Sequence, residues 1–113
     1  MQVLNDANFD AFIEANEIVF VDFWASWCAP CKTFGVIFEA VSERYPTIQF
    51  AKVNVEESTQ LATMFEIQSI PYLMVFKSGI LIYANAGSLP ENMLEELVQQ
   101  AQDADVSMLS KDA

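Results

Sequence analysis

Residues 18–32, Ile18-Val-Phe-Val-Asp-Phe-Trp-Ala-Ser-Trp-Cys-Ala-Pro-Cys-Lys32, decide how this chain is read. From Ile18 to Trp24 the run is apolar on both alternating sets except at Asp22, the pattern of a parallel strand covered by helices on each face. Behind it stand the chain's two cysteines, Cys28 and Cys31, two residues apart. After them Phe34, Ile37, Phe38, Val41 and Tyr45 recur at helical spacing. A strand, a CxxC segment and a helix in that order put one thiol at a helix N-terminus. Unpaired backbone N–H groups and the helix dipole there favour a thiolate. The second thiol falls about one turn further in, within reach to close a small disulfide ring. Two-electron dithiol–disulfide exchange is the chemistry that this arrangement suits.

Composition narrows the alternatives. A chain of 113 residues rich in Phe, Val, Ile and Leu, with three glycines and four prolines, is expected to form one globular domain over residues 1–105. Residues 106–113 are expected to be a short polar tail that frays. Sixteen acidic against five basic residues give a net charge of −11, which argues against nucleic acid or an anionic membrane as partner. The N-terminal residues lack the basic and apolar regions of a signal peptide, and no apolar run approaches the length of a membrane span. A cytoplasmic protein is expected. In a reducing compartment two closely spaced cysteines suit catalysis or metal binding better than a structural staple. Zinc needs about four ligands, and two cysteines without a histidine do not supply them within one chain. Haem attachment needs a histidine where Lys32 stands.

Reading outward, Val3-Leu4 is expected as a short first strand, followed by a helix carrying Phe9, Phe12 and Ile13, capped by Asn5 or Asp6 and stopped near Asn16. Pro46 is expected to end the helix that follows the cysteines. Ile48 to Val55 alternates as a strand, and Ser58 is placed to cap a short helix with Leu61, Met64 and Phe65 on one face. Tyr72 to Phe76 and Ile80 to Ala84 flank a Lys77-Ser78-Gly79 turn and read as a hairpin. Ser88 to Glu91 has the form of a capping box, with Pro90 in the first turn of a helix presenting Met93, Leu94, Leu97, Val98 and Ala101. The order β-α-β-α-β-α-β-β-α implies an α/β fold, a mixed sheet of about five strands flanked by four helices on both faces. Gly35 inside the second helix costs roughly 1 kcal/mol relative to alanine.

These pieces together resemble the thioredoxin family over nearly the whole chain. The resemblance rests on Val21-Asp-Phe-Trp-Ala-Ser-Trp-Cys-Ala-Pro-Cys-Lys32, Ala51-Lys-Val-Asn-Val55, Ile70-Pro71, Phe76-Lys-Ser-Gly79 and the late Gly87. It implies a protein-disulfide reductase, a thiol-disulfide oxidoreductase and electron carrier that binds no cofactor. Its reducing equivalents would come from NADPH through a flavoprotein thioredoxin reductase, and its clients would be proteins with disulfides. A monomer is expected. The chain leaves the family's pattern at Ala29, where glycine is usual, at Val36, where many members have proline, at Ser69 and at Tyr72, where threonine is usual.

The resemblance also implies roles. Cys28 is the attacking thiol and Cys31 the resolving one, since a thiolate attacks a disulfide and the second thiol then releases the product. Periodicity leaves Asp22 open as either a strand-end aspartate reaching solvent or a buried carboxyl; the resemblance implies the buried acid, taking the proton of Cys31. Lys52 would neighbour Asp22 from the next strand and tune it, although a solvated lysine reads equally well. Lys32, in the first turn, would support a thiolate or be a plain surface residue. Pro30 suits a first helical turn and stiffens the loop. Trp27, Ala29, Ile70, Pro71, Ala86 and Gly87 would form the client-binding rim, with Ile70-Pro71 in the cis form pairing its backbone with a client strand. By residue pattern alone Pro71 reads as well as a trans proline opening an edge strand, and Gly87 as a helix-entry turn. Two rivals remain at this stage: a dedicated redox partner of one client, and a non-catalytic binding module on the same fold.

Overall fold

A computed structural model describes residues 1–107. The expected tail over 106–113 lies, from residue 108 onward, outside the described residues. The elements run β1 (Gln2–Leu4), α1 (Phe9–Ala15), β2 (Ile18–Trp24), α2 (Ala29–Ser42), β3 (Gln49–Asn54), α3 (Thr59–Met64), β4 (Tyr72–Lys77), β5 (Ile80–Ala86) and α4 (Glu91–Asp103). The five strands form one sheet in the order β1-β3-β2-β4-β5. β1, β3 and β2 are parallel, whereas β4 runs antiparallel to β2 and pairs with β5 as a hairpin.

The alternation along β2 divides the core. Val19, Val21 and Phe23 join Phe9, Ile13, Leu61 and Phe76 in one cluster, on the side covered by α1 and α3. Phe20 joins Phe34, Phe38, Val41, Leu94 and Val98 on the side covered by α2 and α4. Period-2 pleating therefore turns Asp22 and Trp24, like Phe20, toward α2. Phe20, Phe38 and Phe50 tie β2, α2 and β3 together, with Phe20 and Phe50 stacked at 5.0 Å between centroids and Phe38 edge-on to Phe50 at 5.1 Å.

Helix ends depart from the sequence reading where a distant side chain takes over. Asn5 does close the entry to α1, its Oδ1 accepting from Ala7 and Asn8 backbone N–H groups. Asp6 instead caps α3, accepting from the N–H of Leu61 at 2.9 Å and more weakly from that of Gln60. Ser58 occupies the N-cap position without a side-chain cap bond and is buried. Pro90 is the N-cap of α4 rather than a first-turn residue, and no side chain caps that end. The capping box read at Ser88–Glu91 is thus not formed. Helix α2 ends at Ser42, short of Pro46, and tightens through i→i−3 bonds from Arg44 and Tyr45. Met64 and Met93, read as core-facing, are exposed.

Two ends use residues that carry no such signal in sequence. After α3, Glu66 adopts φ 53° and the N–H of Ile67 reaches the Ala62 carbonyl at 2.9 Å, a Schellman closure without glycine. At the end of α4, Lys77 of β4 is buried and its Nζ donates to the carbonyls of Ala101, Gln102 and Ala104 at 2.7, 2.9 and 2.6 Å. A cation there satisfies orphan carbonyls and complements the helix dipole. Ser78 and Gly79, both with positive φ, make the two-residue hairpin turn between β4 and β5.

Candidate active site

The cysteine segment sits where β2 ends and α2 begins. Cys28 is the N-cap of α2 in extended conformation, with Ala29 and Pro30 opening the helix. Its Sγ accepts from the backbone N–H of Cys31 at 3.2 Å, so the sulphur occupies the place of a capping oxygen. A thiolate at that atom gains a charge-assisted bond and the dipole of a fourteen-residue helix. Cys28 and Cys31 are joined as a disulfide with their Cα atoms 5.2 Å apart. Both are buried, packed with Ala25 and against Trp24, Val55 and Ile70.

The loop before β4 packs on this pair, and the loop after β5 is tied to it in turn. The Ile70–Pro71 peptide is cis, and the Ile70 carbonyl oxygen lies 3.7 Å from Cys28 Sγ. The Pro71 carbonyl accepts from the N–H of Gly87 at 2.8 Å, which draws Ala86 and Gly87 to the same end of the sheet. Gly87 has φ 107°, a conformation side-chain-bearing residues rarely adopt, so glycine is required at this bend. Ala86 pairs in register with Tyr72. Trp27 is 71 % exposed, a large apolar ring left to solvent beside a nearly closed sulphur. Ala29, Pro30 and Lys32 are exposed on the first turn of α2.

Behind the cysteines Asp22 is fully buried, and neither carboxyl oxygen has a hydrogen-bond partner among the described residues. Desolvation pushes its pKa up from 3.8 to about 7, with the charge of Lys52 pulling the other way. Lys52 lies opposite Asp22 in the β2–β3 register. Its Nζ sits over the Trp24 ring, 5.2 Å from the centroid. The alternative of a solvent-reaching Asp22 is therefore set aside by its burial.

Sequence reasoning did not find Glu56. Its Oε1 accepts from the hydroxyl of Ser26 at 3.1 Å and more weakly from the Ser26 N–H, tying the β3–α3 loop to the residue before Trp27. An exposed acid in a turn gives no periodic signal, and the contact spans thirty residues. Where the chain leaves the family's pattern, the changes are local. Val36 is 71 % exposed on α2, and Tyr72 turns its ring toward Phe23, 6.4 Å between centroids.

The family model described as Thioredoxin matches residues 1–100. The chain belongs to the thioredoxin family. A chain assigned as thioredoxin 2 in Streptomyces coelicolor is 41 % identical over 108 residues, covering 96 % of this chain and 81 % of the relative. Thioredoxin of Mycoplasmoides gallisepticum is 37 % identical over 97 residues, covering 86 % of this chain and 97 % of the relative. Among solved structures, Plasmodium falciparum thioredoxin superposes with a TM-score of 0.81 at 33 % identity, covering 88 % of this chain and 98 % of that one. A thioredoxin-family chain with a disulfide-forming cysteine pair at the start of α2 is a protein-disulfide reductase, working by reversible exchange at Cys28–Cys31. Thioredoxins act on protein disulfides and are re-reduced by thioredoxin reductase. Among the described residues no group of three or more His, Cys, Asp or Glu is placed to hold a metal ion. No described helix is long and apolar enough to cross a membrane.

Proposed function

We propose that the chain is a general reductant of client proteins in the cytoplasm, acting as a monomeric single domain over residues 1–105. The observation that carries this reading is the buried, unpartnered Asp22 beneath a helix whose N-cap is a cysteine. The cycle begins when Cys28 thiolate attacks a client disulfide and forms a Cys28–client bond, releasing the client's other sulphur as thiolate. Asp22 carboxylate then takes the proton of Cys31. The Cys31 thiolate attacks Cys28, closing the Cys28–Cys31 disulfide and expelling the client's second thiolate. NADPH, through a flavoprotein thioredoxin reductase, returns the pair to the dithiol; no cofactor binds the chain itself.

Exposure supports a macromolecular client. Trp27, Ala29, Ala86 and Gly87 are exposed, Ile70 is half-buried and the sulphurs are nearly buried, as a client-binding rim would require. Apolar clefts lined by Tyr83, Leu89, Met93 and Leu97, and by Val75, Ile82 and Ala101, lie along α4 and β5, and the cysteines line neither. The site therefore suits a docked backbone better than an enclosed small molecule. Lys52 modulates Asp22, and Pro30 and Lys32 shape the first turn next to the thiolate. A non-catalytic binding role on this fold would need neither the sulphur cap nor the buried acid. Trapping tests the scheme: Cys31→Ser should accumulate Cys28–client mixed disulfides in cell extract while Cys28→Ser accumulates none, and adducts found on Cys28→Ser instead would reverse the assignment of the two sulphurs.

A further inference from the structure

Trp24 of β2 and Gly35 of α2 bracket the Lys52 ammonium, an arrangement that neither the exchange cycle nor the family pattern assigns. Asp22 and Trp24 project from the same face of β2, two residues apart. Lys52 stands directly across from Asp22 on β3, on that same face. Asp22 is its register partner, yet among the described residues no hydrogen bond reaches either Asp22 oxygen. The ammonium lies instead over the indole of Trp24. Gly35 of α2 closes the other side: a Cβ built there would meet Lys52 Nζ at 3.5 Å. The ammonium thus rests between an indole face and a bare stretch of helix.

We infer that Trp24 is a positioning residue, whose ring holds the Lys52 ammonium off Asp22 and so keeps the carboxyl out of a direct ion pair. An indole face attracts an ammonium through its quadrupole, most strongly where water is thin. A carboxylate paired with lysine is a weak base, whereas an unpaired buried one holds its proton near neutrality. By keeping Lys52 in place, Trp24 sets the proton affinity that the resolving step draws on; this consequence rests on the function proposed above, while the placement itself does not. The groups facing Asp22 are few. β3 supplies Lys52 and β4 sets apolar Leu73 opposite Asp22 in register, while α2, which covers this face, carries the buried Cys31 and turns its charged Lys32 and Glu39 to solvent.

The test is a double-mutant cycle read on the side-chain carboxyl carbon of Asp22, titrated by NMR in the oxidised protein. Trp24→Leu frees the ammonium to approach the carboxyl, and the midpoint should fall by about one unit. In a Lys52→Met background the same replacement should move the midpoint by less than about a third of that. Equal shifts in both backgrounds would mean that the indole acts only by excluding water, and would overturn the inference. An unchanged midpoint in Trp24→Leu would overturn it as well. Trp24→Phe, which keeps a weaker ring and the packing, should give a smaller fall in the same direction and serves if the leucine variant unfolds. Failure of the proposed function reads out separately, as an Asp22→Asn variant that resolves mixed disulfides at the parent rate.

Discussion

Asp22 and Lys52 lie opposite each other in the β2–β3 register, but the carboxyl has no hydrogen-bond partner among the described residues and the ammonium rests on Trp24. A carboxyl buried in this way holds its proton to about pH 7 in the folded chain, against 3.8 for an unperturbed aspartate. The folded state binds the extra proton, so its stabilising effect is full below about pH 4 and is lost as pH rises through about 7. The loss across that window amounts to about 4 kcal/mol at most. Asp22→Asn removes the titration. Urea unfolding of the oxidised protein should show the variant gaining on the parent by about 2–4 kcal/mol between pH 4 and pH 8. Stability curves that run parallel across this range would mean that Asp22 is not desolvated as described.

The same substitution bears on rate. With no carboxylate to receive the Cys31 proton, Asp22→Asn should resolve a preformed mixed disulfide at least about tenfold more slowly near neutral pH. The deficit should shrink at high pH, where the thiol ionises without help. Stopped-flow release of a labelled client across a pH series measures it, and equal rates throughout would remove Asp22 from the mechanism.

Glu66 closes α3 at φ 53°, a conformation that strains any residue with a Cβ. Glu66→Gly should therefore stabilise the fold by about 1 kcal/mol. Chemical denaturation checks this; a loss of stability would mean that the Glu66 side chain makes an unrecognised compensating contact.

Lys77→Met should destabilise by about 2 kcal/mol, because three carbonyls at the end of α4 lose their donor. Hydrogen exchange should speed up most in the last turn of α4. A change below about 0.5 kcal/mol would show that water replaces the ammonium without penalty.

Gly35→Ala should be stabilising by about 0.5–1 kcal/mol, since the added methyl meets only the end of Lys52 at ordinary contact distance. A destabilised variant would mean that the Lys52 ammonium is held too firmly to give way.

The layout of strands and helices was legible because each core face carries its own period. Val19, Val21 and Phe23 alternate with Phe20, and Phe34, Phe38 and Val41 follow a helical stripe. The helix ends were less legible, because their partners come from far along the chain. Asp6 caps α3 across 55 residues and Lys77 closes α4 from a strand. At the site, Cys28 and Cys31 stood out by spacing, whereas the apolar run left Asp22 open and only the resemblance pointed to a buried acid. The unpaired state of Asp22 was not legible, because a register tells which residues are opposite and not where a long flexible ammonium comes to rest. Only the indole two residues on settles that.

The central claim is that Cys28 and Cys31 pass electrons to protein disulfides. NADPH oxidation in the presence of a thioredoxin reductase and insulin, with the oxidised chain as the only carrier, tests it most directly. The account predicts many turnovers per molecule for the parent and none above background for Cys28→Ser. A parent protein no faster than the reductase alone, or a Cys28→Ser variant that still turns over, would contradict it.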